Sequence, residues 1–256
     1  MRKKWENIGN RAVPILFFTL LVIIWQFIVD SGIIARYILP SPWDVVVVSI
    51  RILPELKDHI YTTLQEALTG FMIAILFSVT LAILMDNFTL VKKAVQPLLV
   101  VSQTIPIMVL APLFAMWFGF GLLPKIMVVI LVCFFPIVVS LLEGLNTLDS
   151  DLLNLMKSMK ASRWQMFYLA KFPSSLPNFF SGLKIAATYS IIGAIIGEWM
   201  GGKSGLGVYM TRVRQSFALD KVFATILIII FLSIILFKII ELIQFLLMPW
   251  RRAISK

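Results

Sequence analysis

The chain has 256 residues, 60% of them hydrophobic and only 14% charged, with a formal net charge of +10 and a mean hydropathy of +0.95. So little polar surface cannot wet a soluble domain of this size, which excludes a soluble enzyme or binding module and predicts a multi-pass membrane protein. The basic residues flank apolar stretches instead of covering one soluble face, which argues against nucleic acid as a partner and for anionic lipid.

A bilayer core about 30 Å thick needs roughly 20 apolar helical residues per crossing. Six segments meet that need: Pro14–Val29, Tyr61–Met85, Pro97–Phe118, Leu122–Leu145, Leu176–Met200 and Val222–Met248. No strand-like alternation persists between them, so the predicted fold is all-α, one transmembrane domain over residues 1–256 with no soluble module. Arg2, Lys3, Lys4 and Arg11 precede the first segment as they would a signal peptide, but Val29-Asp30-Ser31-Gly32 lacks a small-x-small cleavage site, and a retained first helix is expected. With both termini inside, the inner set is Arg2, Lys3, Lys4, Arg11, Lys92, Lys93, Lys157, Lys160, Arg163, Lys171, Arg251, Arg252 and Lys256, which makes 13. The outer set is Arg36, Arg51, Lys57, Lys125, Lys203, Arg212, Arg214 and Lys221, which makes 8, and the excess predicts cytoplasmic termini.

Pro106 and Pro112 in the third segment free backbone carbonyls at depth and are expected to bend it. Gln103, Pro106 and Met108 on this segment, with Glu198 on the fifth, are the candidates for a translocation path. Cys133 is the single cysteine and His59 the single histidine, and neither sits in a metal-ligand spacing. No metal and no catalytic residues are expected.

Between the fourth and fifth segments the apolar pattern is interrupted from Asp149 to Pro177. Asp149 or Ser150 caps a short helix, Asp151 sits in its first turn, and Lys157 and Lys160 fall near its negative end. Leu152, Leu155, Met156 and Met159 recur at i, i+3, i+4 and i+7, an apolar stripe that needs either a partner's groove or a lipid surface. A second run, Arg163 to Phe172, carries Trp164, Phe167 and Tyr168, and Pro173 and Pro177 are expected to break the chain before the fifth crossing.

This loop resembles the cytoplasmic "EAA" loop of bacterial ABC-importer permeases. Aligned on Lys160-Ala161-Ser162-Arg163-Trp164-Gln165-Met166-Phe167, the signature's final proline falls on Pro173, while Asn154, Met156 and Lys160 replace its acidic residue, second alanine and glycine. Ile38-Leu39-Pro40-Ser41-Pro42, Thr63-Leu64-Gln65-Glu66-Ala67-Leu68-Thr69-Gly70-Phe71, Gln103-Thr104-Ile105-Pro106, Ala111-Pro112-Leu113, Trp117-Phe118-Gly119-Phe120-Gly121, Phe134-Phe135-Pro136-Ile137 and Ser204-Gly205-Leu206-Gly207 extend the resemblance over nearly the whole chain, to the branch handling nitrate, sulfonates, taurine and thiamine-pyrimidine precursors. The resemblance implies a bacterial inner-membrane permease with no cofactor of its own, working as a homo- or heterodimer with ATP- and Mg-using ABC ATPase subunits and an extracytoplasmic solute-binding protein. It also implies that Asn154, Leu155, Met156, Met159, Lys160, Ala161, Ser162, Arg163 and Pro173 couple the permease to the ATPase.

Gly197-Glu198-Trp199-Met200-Gly201-Gly202-Lys203-Ser204 satisfies the phosphate-loop pattern G-x-x-x-x-G-K-[ST]. That motif requires a preceding strand, and an apolar helix is expected there instead, so the match is read as spurious. Gly193, Gly197 and Gly201 are better read as a close helix-packing face. Glu66 and Glu198, toward the outer ends of their segments, either meet cargo or form interfacial ion pairs. Lys238 and Glu241 are spaced to pair with each other. A secondary transporter is the alternative; its expected pointers are inverted repeats with paired broken helices, and the sequence carries no convincing internal repeat.

Overall fold

A computed structural model of the chain describes residues 2–249, with side chains from Val13 onward except that of Ser150. Arg251, Arg252 and Lys256, which entered the charge comparison, lie outside the described residues, and so do the side chains of Arg2, Lys3, Lys4 and Arg11. Every regular element among the described residues is helical. The helices are α1 (Arg2–Asp30), α2 (Pro42–Asn87), α3 (Thr89–Gln103), α4 (Ile107–Phe118), α5 (Leu122–Asn146), α6 (Ser150–Ser158), α7 (Arg163–Met166), α8 (Phe172–Trp199), α9 (Leu206–Gln215) and α10 (Leu219–Leu247). A π-helical turn, Phe167–Lys171, joins α7 to α8.

Among the described residues five continuous helical stretches are long and apolar enough to cross a membrane, and α3 with α4 passes the same test only as a pair, parted by a 102° bend. The expected third crossing, Pro97–Phe118, is therefore not one helix. Pro106 stands at the N-cap of α4 in an extended conformation (ψ 124°), so the chain leaves the helix just where a proline removes the donor that would continue it. Pro112, by contrast, is accommodated inside α4.

Two further boundaries differ from the sequence pattern. The second crossing was expected to begin at Tyr61, yet α2 starts at Pro42 and runs 46 residues, about 69 Å at 1.5 Å per residue, more than twice a bilayer core. The fifth span was expected to start after a break at Pro173 and Pro177. Instead, residues 163–199 form one continuous 37-residue helical stretch. The π-turn explains how: the Phe172 N–H bonds to the Phe167 carbonyl five residues back, and the widened turn takes in Pro173, which has no N–H and would crowd the carbonyl four residues before it.

By packing, the chain divides into two units, residues up to 57 with 209–230, and residues 58–208 with the chain from 231 on. In the first unit, Trp25 meets Phe223 at 6.2 Å between ring centroids, the Trp43 N–H reaches Gln26 Oε1, and the buried Ser49 hydroxyl donates to the Val45 carbonyl at 2.7 Å. In the second unit the dominant packing is α5 against α8. Gly193 and Gly197 lie on this seam, where an added Cβ would come within 3.2 Å of Val129 Cα and 2.9 Å of Lys125 Cα. Close backbone approach through small residues is the usual way membrane helices associate. Gly201 falls beyond the end of α8 and meets the Phe120 ring instead. Cys133 is buried in the same seam and points its thiol at the Ala186 carbonyl, 3.3 Å away, as a packing residue. Beside it, Ala82, Met85, Leu99, Phe134, Val138, Leu141, Leu145 and Phe167 form one apolar cluster. Side chains such as Phe17, Leu76, Phe77 and Phe231 remain exposed on the spans, as lipid-facing positions require.

Candidate functional site

Three regions of the structure hold the sequence candidates. The first is the loop between α5 and α8. The Asp149 side chain caps α6 by accepting the Asp151 N–H at 2.9 Å, and Asp151 and Lys157 lie at the helix ends that favour their charges. The helix stops in a Schellman arrangement, with the Ala161 N–H on the Met156 carbonyl at 3.0 Å and the Lys160 N–H on the Lys157 carbonyl at 2.9 Å. That arrangement needs a left-handed residue, and Lys160 supplies it with φ +58°. The glycine of the family pattern is thus explained by geometry: Lys160 adopts the conformation for which glycine is suited. The chain then re-enters a helix through a capping box, the Gln165 N–H donating to Ser162 Oγ and the Ser162 N–H to Gln165 Oε1 at 2.7 Å.

Of the apolar stripe on α6, Leu152, Leu155 and Met159 are exposed, Leu155 at 57% and Met159 at 75%, while Met156 is half-buried together with Leu153. The outward face is therefore Leu152, Leu155 and Met159, flanked by exposed Asn154, Lys160 and Arg163. Ala161 and Pro173 are half-buried. Behind the loop, Lys171 donates to both carboxylate oxygens of Asp86 at 2.8 and 2.9 Å, tying the base of the π-turn to the end of α2. The sequence gives no direct sign of this pairing, because Asp86 and Lys171 are 85 positions apart.

The second region is a groove of about 580 Å³ at the bend between α3 and α4. Gln103 and Pro106 line it, with Ser102, Phe135, Pro136 and Tyr189 from the bend, α5 and α8. No charged residue is among its lining. Met108 is exposed on the first turn of α4 and does not line the groove. Tyr189 was not singled out from the sequence; its only signal was a polar-tipped aromatic within an apolar span.

Glu198 lies elsewhere, in the third region, a buried polar cluster at the end of α8. It is 1% exposed, accepting from the Thr63 hydroxyl at 2.6 Å and from the Gly207 N–H at 2.5 Å. Thr63 in turn accepts the Leu206 N–H at 2.8 Å, and His59 Nδ1 accepts the Gly205 N–H at 2.9 Å. Next to them Lys125 donates to Glu66 at 2.7 Å, an ion pair with both side chains almost wholly buried. Of the two expectations for these acids, the structure gives Glu66 the ion pair and Glu198 the task of holding the turn after α8. Gly205, with φ +128°, abuts the Glu198 carboxyl so closely that a Cβ there would overlap it. Lys125 was the signal that sequence reasoning passed over: a lone cation at the head of an apolar helix requires a partner. The phosphate-loop match spans this turn, and what precedes it is α8, not a strand. Lys238 pairs with Glu241 at 2.6 Å, as their spacing predicts.

Residues 70–252 match the family described as the inner membrane component of binding-protein-dependent transport systems, and the chain belongs to it. It is 39% identical over 241 residues to the formylaminopyrimidine transport permease protein ThiX of Halalkalibacterium halodurans, covering 93% of this chain and 96% of that one. It is 29% identical to the riboflavin transport system permease protein RibX of Chloroflexus aurantiacus, over 97% of this chain and 92% of that one. To the putative aliphatic sulfonates transport permease protein SsuC of Bacillus subtilis it is 26% identical, over 98% of this chain and 91% of that one. The chain is a multi-pass, non-catalytic permease subunit of an ABC importer for a small solute.

Proposed function

We propose that two copies of this permease, or this chain and a close relative, form the path for a small uncharged heteroaromatic solute, with ABC ATPase subunits seated on the outward face of α6. ATP and Mg are used by the ATPases, this chain needs no cofactor of its own, and an extracytoplasmic binding protein delivers the cargo. Both termini and the α6 loop face the cytoplasm, a reading supported by the excess of Lys and Arg on that side. Leu152, Leu155 and Met159 support the seating: three exposed apolar side chains, two on a capped nine-residue helix and one at its C-cap, are the anchor pattern of a helix laid into a groove. Nucleotide-driven closure of the ATPases then displaces α6 and biases the membrane helices between inward- and outward-facing states.

The groove at the α3–α4 bend carries the cargo reading. A sulfonate taken from water into an apolar site needs a cation or several donors, because an unpaired buried charge is costly. This groove offers only the Gln103 amide, the Ser102 and Tyr189 hydroxyls and the face of Phe135, a set suited to a neutral ring with amide-like edges. The formylaminopyrimidine and riboflavin permeases to which the chain is similar are named for heteroaromatic solutes of that kind.

The assembled transporter in proteoliposomes tests both halves. ATP-driven uptake of a formylaminopyrimidine should exceed that of a short aliphatic sulfonate, and Gln103→Leu should depress it at least several-fold. Preferred uptake of the sulfonate would refute the cargo reading. Leu155→Asp should release the ATPase subunits while the permease still inserts, and retained uptake by that variant would refute the seating.

A further inference from the structure

Behind α6, where the loop meets the end of α2, lies a cavity of about 240 Å³, some eight water volumes at about 30 Å³ each. Lys157, Arg163 and Lys171 line it, with Asp86 and Asn87 from the last turn of α2. Asp86 is already neutralised by its two bonds from Lys171. Lys157 and Arg163 have no acidic partner among the described residues, so the cavity carries an uncompensated charge of two cations, with the Asn87 amide beside them. Both cations are exposed, so their mutual repulsion is screened, but cations gathered at one concave site without a counter-charge raise the local potential and draw an anion there.

The surroundings indicate which anion. Trp164 and Tyr168, 72% and 67% exposed, stand on the same helical stretch as Arg163 and Lys171. Exposed Trp and Tyr beside basic residues at the end of a membrane-spanning helix mark the headgroup level of a bilayer. Basic pockets at that level, between the ends of spanning helices, recognise phosphate headgroups. A planar Arg fork and two ammonium groups match a tetrahedral phosphate in charge and in donor geometry.

We propose that this cavity is a binding site for a phosphate-bearing anion, the headgroup of an anionic lipid or free phosphate, held by Lys157, Arg163 and Lys171. The anion bridges α6 to the end of α2 and fixes the angle at which α6 leaves the membrane. This goes beyond the transport reading and does not depend on what the permease carries.

The full-length permease in lipid nanodiscs tests it by thermal midpoint and by native mass spectrometry of retained lipid. Phosphatidylglycerol discs should give a higher midpoint than phosphatidylcholine discs, with retained phosphatidylglycerol. Lys157→Gln should weaken that retention about five-fold, and Lys157→Gln with Arg163→Gln about 25-fold, since each cation near an anionic surface is worth about a factor of five. Lys157 is exposed on α6, so its single variant keeps the test valid if the double variant folds poorly. Inorganic phosphate added to phosphatidylcholine discs separates the sources: a midpoint rise lost in the variants assigns the site to free phosphate. The proposal is overturned if neither anion raises the midpoint. It is equally overturned if the effect survives in the variants, above all if it then disappears in Lys92→Gln with Lys93→Gln.

Discussion

Replacing Lys125 by Met removes the only cation in the buried cluster at the end of α8 while keeping nearly the same length of side chain. Glu66 is 1% exposed, and its second carboxylate oxygen has no hydrogen-bond partner, so the 2.7 Å contact from Lys125 is what compensates that group. Breaking a buried pair by deleting one partner costs about 3–5 kcal/mol, because the remaining charge stays out of water. At about 2–4 °C per kcal/mol for a chain of this size, the thermal midpoint should fall by roughly 6–20 °C. Adding Glu66→Gln removes the stranded charge and should recover most of that loss. If the two sites were independent, the deficits would instead add. The assay is thermal unfolding of the purified permease in one detergent or nanodisc, for the wild type, both single variants and the double. A Lys125→Met midpoint within about 2 °C of wild type, or a double variant as damaged as the sum of the singles, would refute the ion pair as the cluster's support.

Four shorter tests follow from the same geometry. Lys160→Gly relieves a left-handed residue at the end of α6 and should stabilise that turn by about 1 kcal/mol, read as slower hydrogen exchange at the Ala161 amide; faster exchange would contradict it. Gly205→Ala forces a Cβ into the Glu198 carboxyl at φ +128° and should cost at least about 2 kcal/mol, measured by thermal unfolding. Lys203→Ala should leave ATP hydrolysis by the assembled transporter unchanged, because the turn it sits in follows a helix and holds no nucleotide fold; lost hydrolysis in a well-assembled complex would reverse that reading. Two glycines inserted between Ala161 and Ser162 should leave ATPase subunits bound and hydrolysing but depress uptake, since they loosen the joint between α6 and the span.

The sequence pattern located the spans to within a few residues where hydrophobic length was the deciding term, as for α5, and it found α6 because capping, charge order and a 3.6-residue apolar period agree there. It failed where backbone detail outweighs composition. Pro173 and Pro177 read as helix breakers, but a π-turn supplies the space that Pro173 needs and Pro177 is accommodated inside α8, and no residue type announces such a turn. Pro106 read as a bend within one helix, yet the span parts by 102°, because nothing local says how far a released backbone will turn. Long-range pairs were equally silent: Lys125 with Glu66 and Lys171 with Asp86 are visible only once helices are packed. Of the path candidates, Gln103 and Pro106 reach the groove, whereas Glu198 was drawn into the cluster that fastens the following turn.

These misreadings converge on one mechanical point. Had Pro173 and Pro177 broken the chain, α6 would hang from a flexible tether and a displacement at its face would dissipate before reaching the membrane. Instead the Schellman turn at Lys160, the capping box at Ser162 and the π-turn at Phe167 leave no unpaired stretch between α6 and α8. Lys171 and Asp86 bind that joint to α2. From there α8 runs without a break to Tyr189 at the groove and Glu198 at its far end, and it packs along α5 through Gly182, Gly193 and Gly197. A close-packed seam of this kind transmits displacement as a body because it has no slack to absorb it. The letters in which this loop departs from its family alter the surface that α6 presents and the strain of its last turn. Of those letters Lys160 alone also lies in the connection from α6 to the groove, which otherwise rests on Ser162, the π-turn and the Lys171–Asp86 pair.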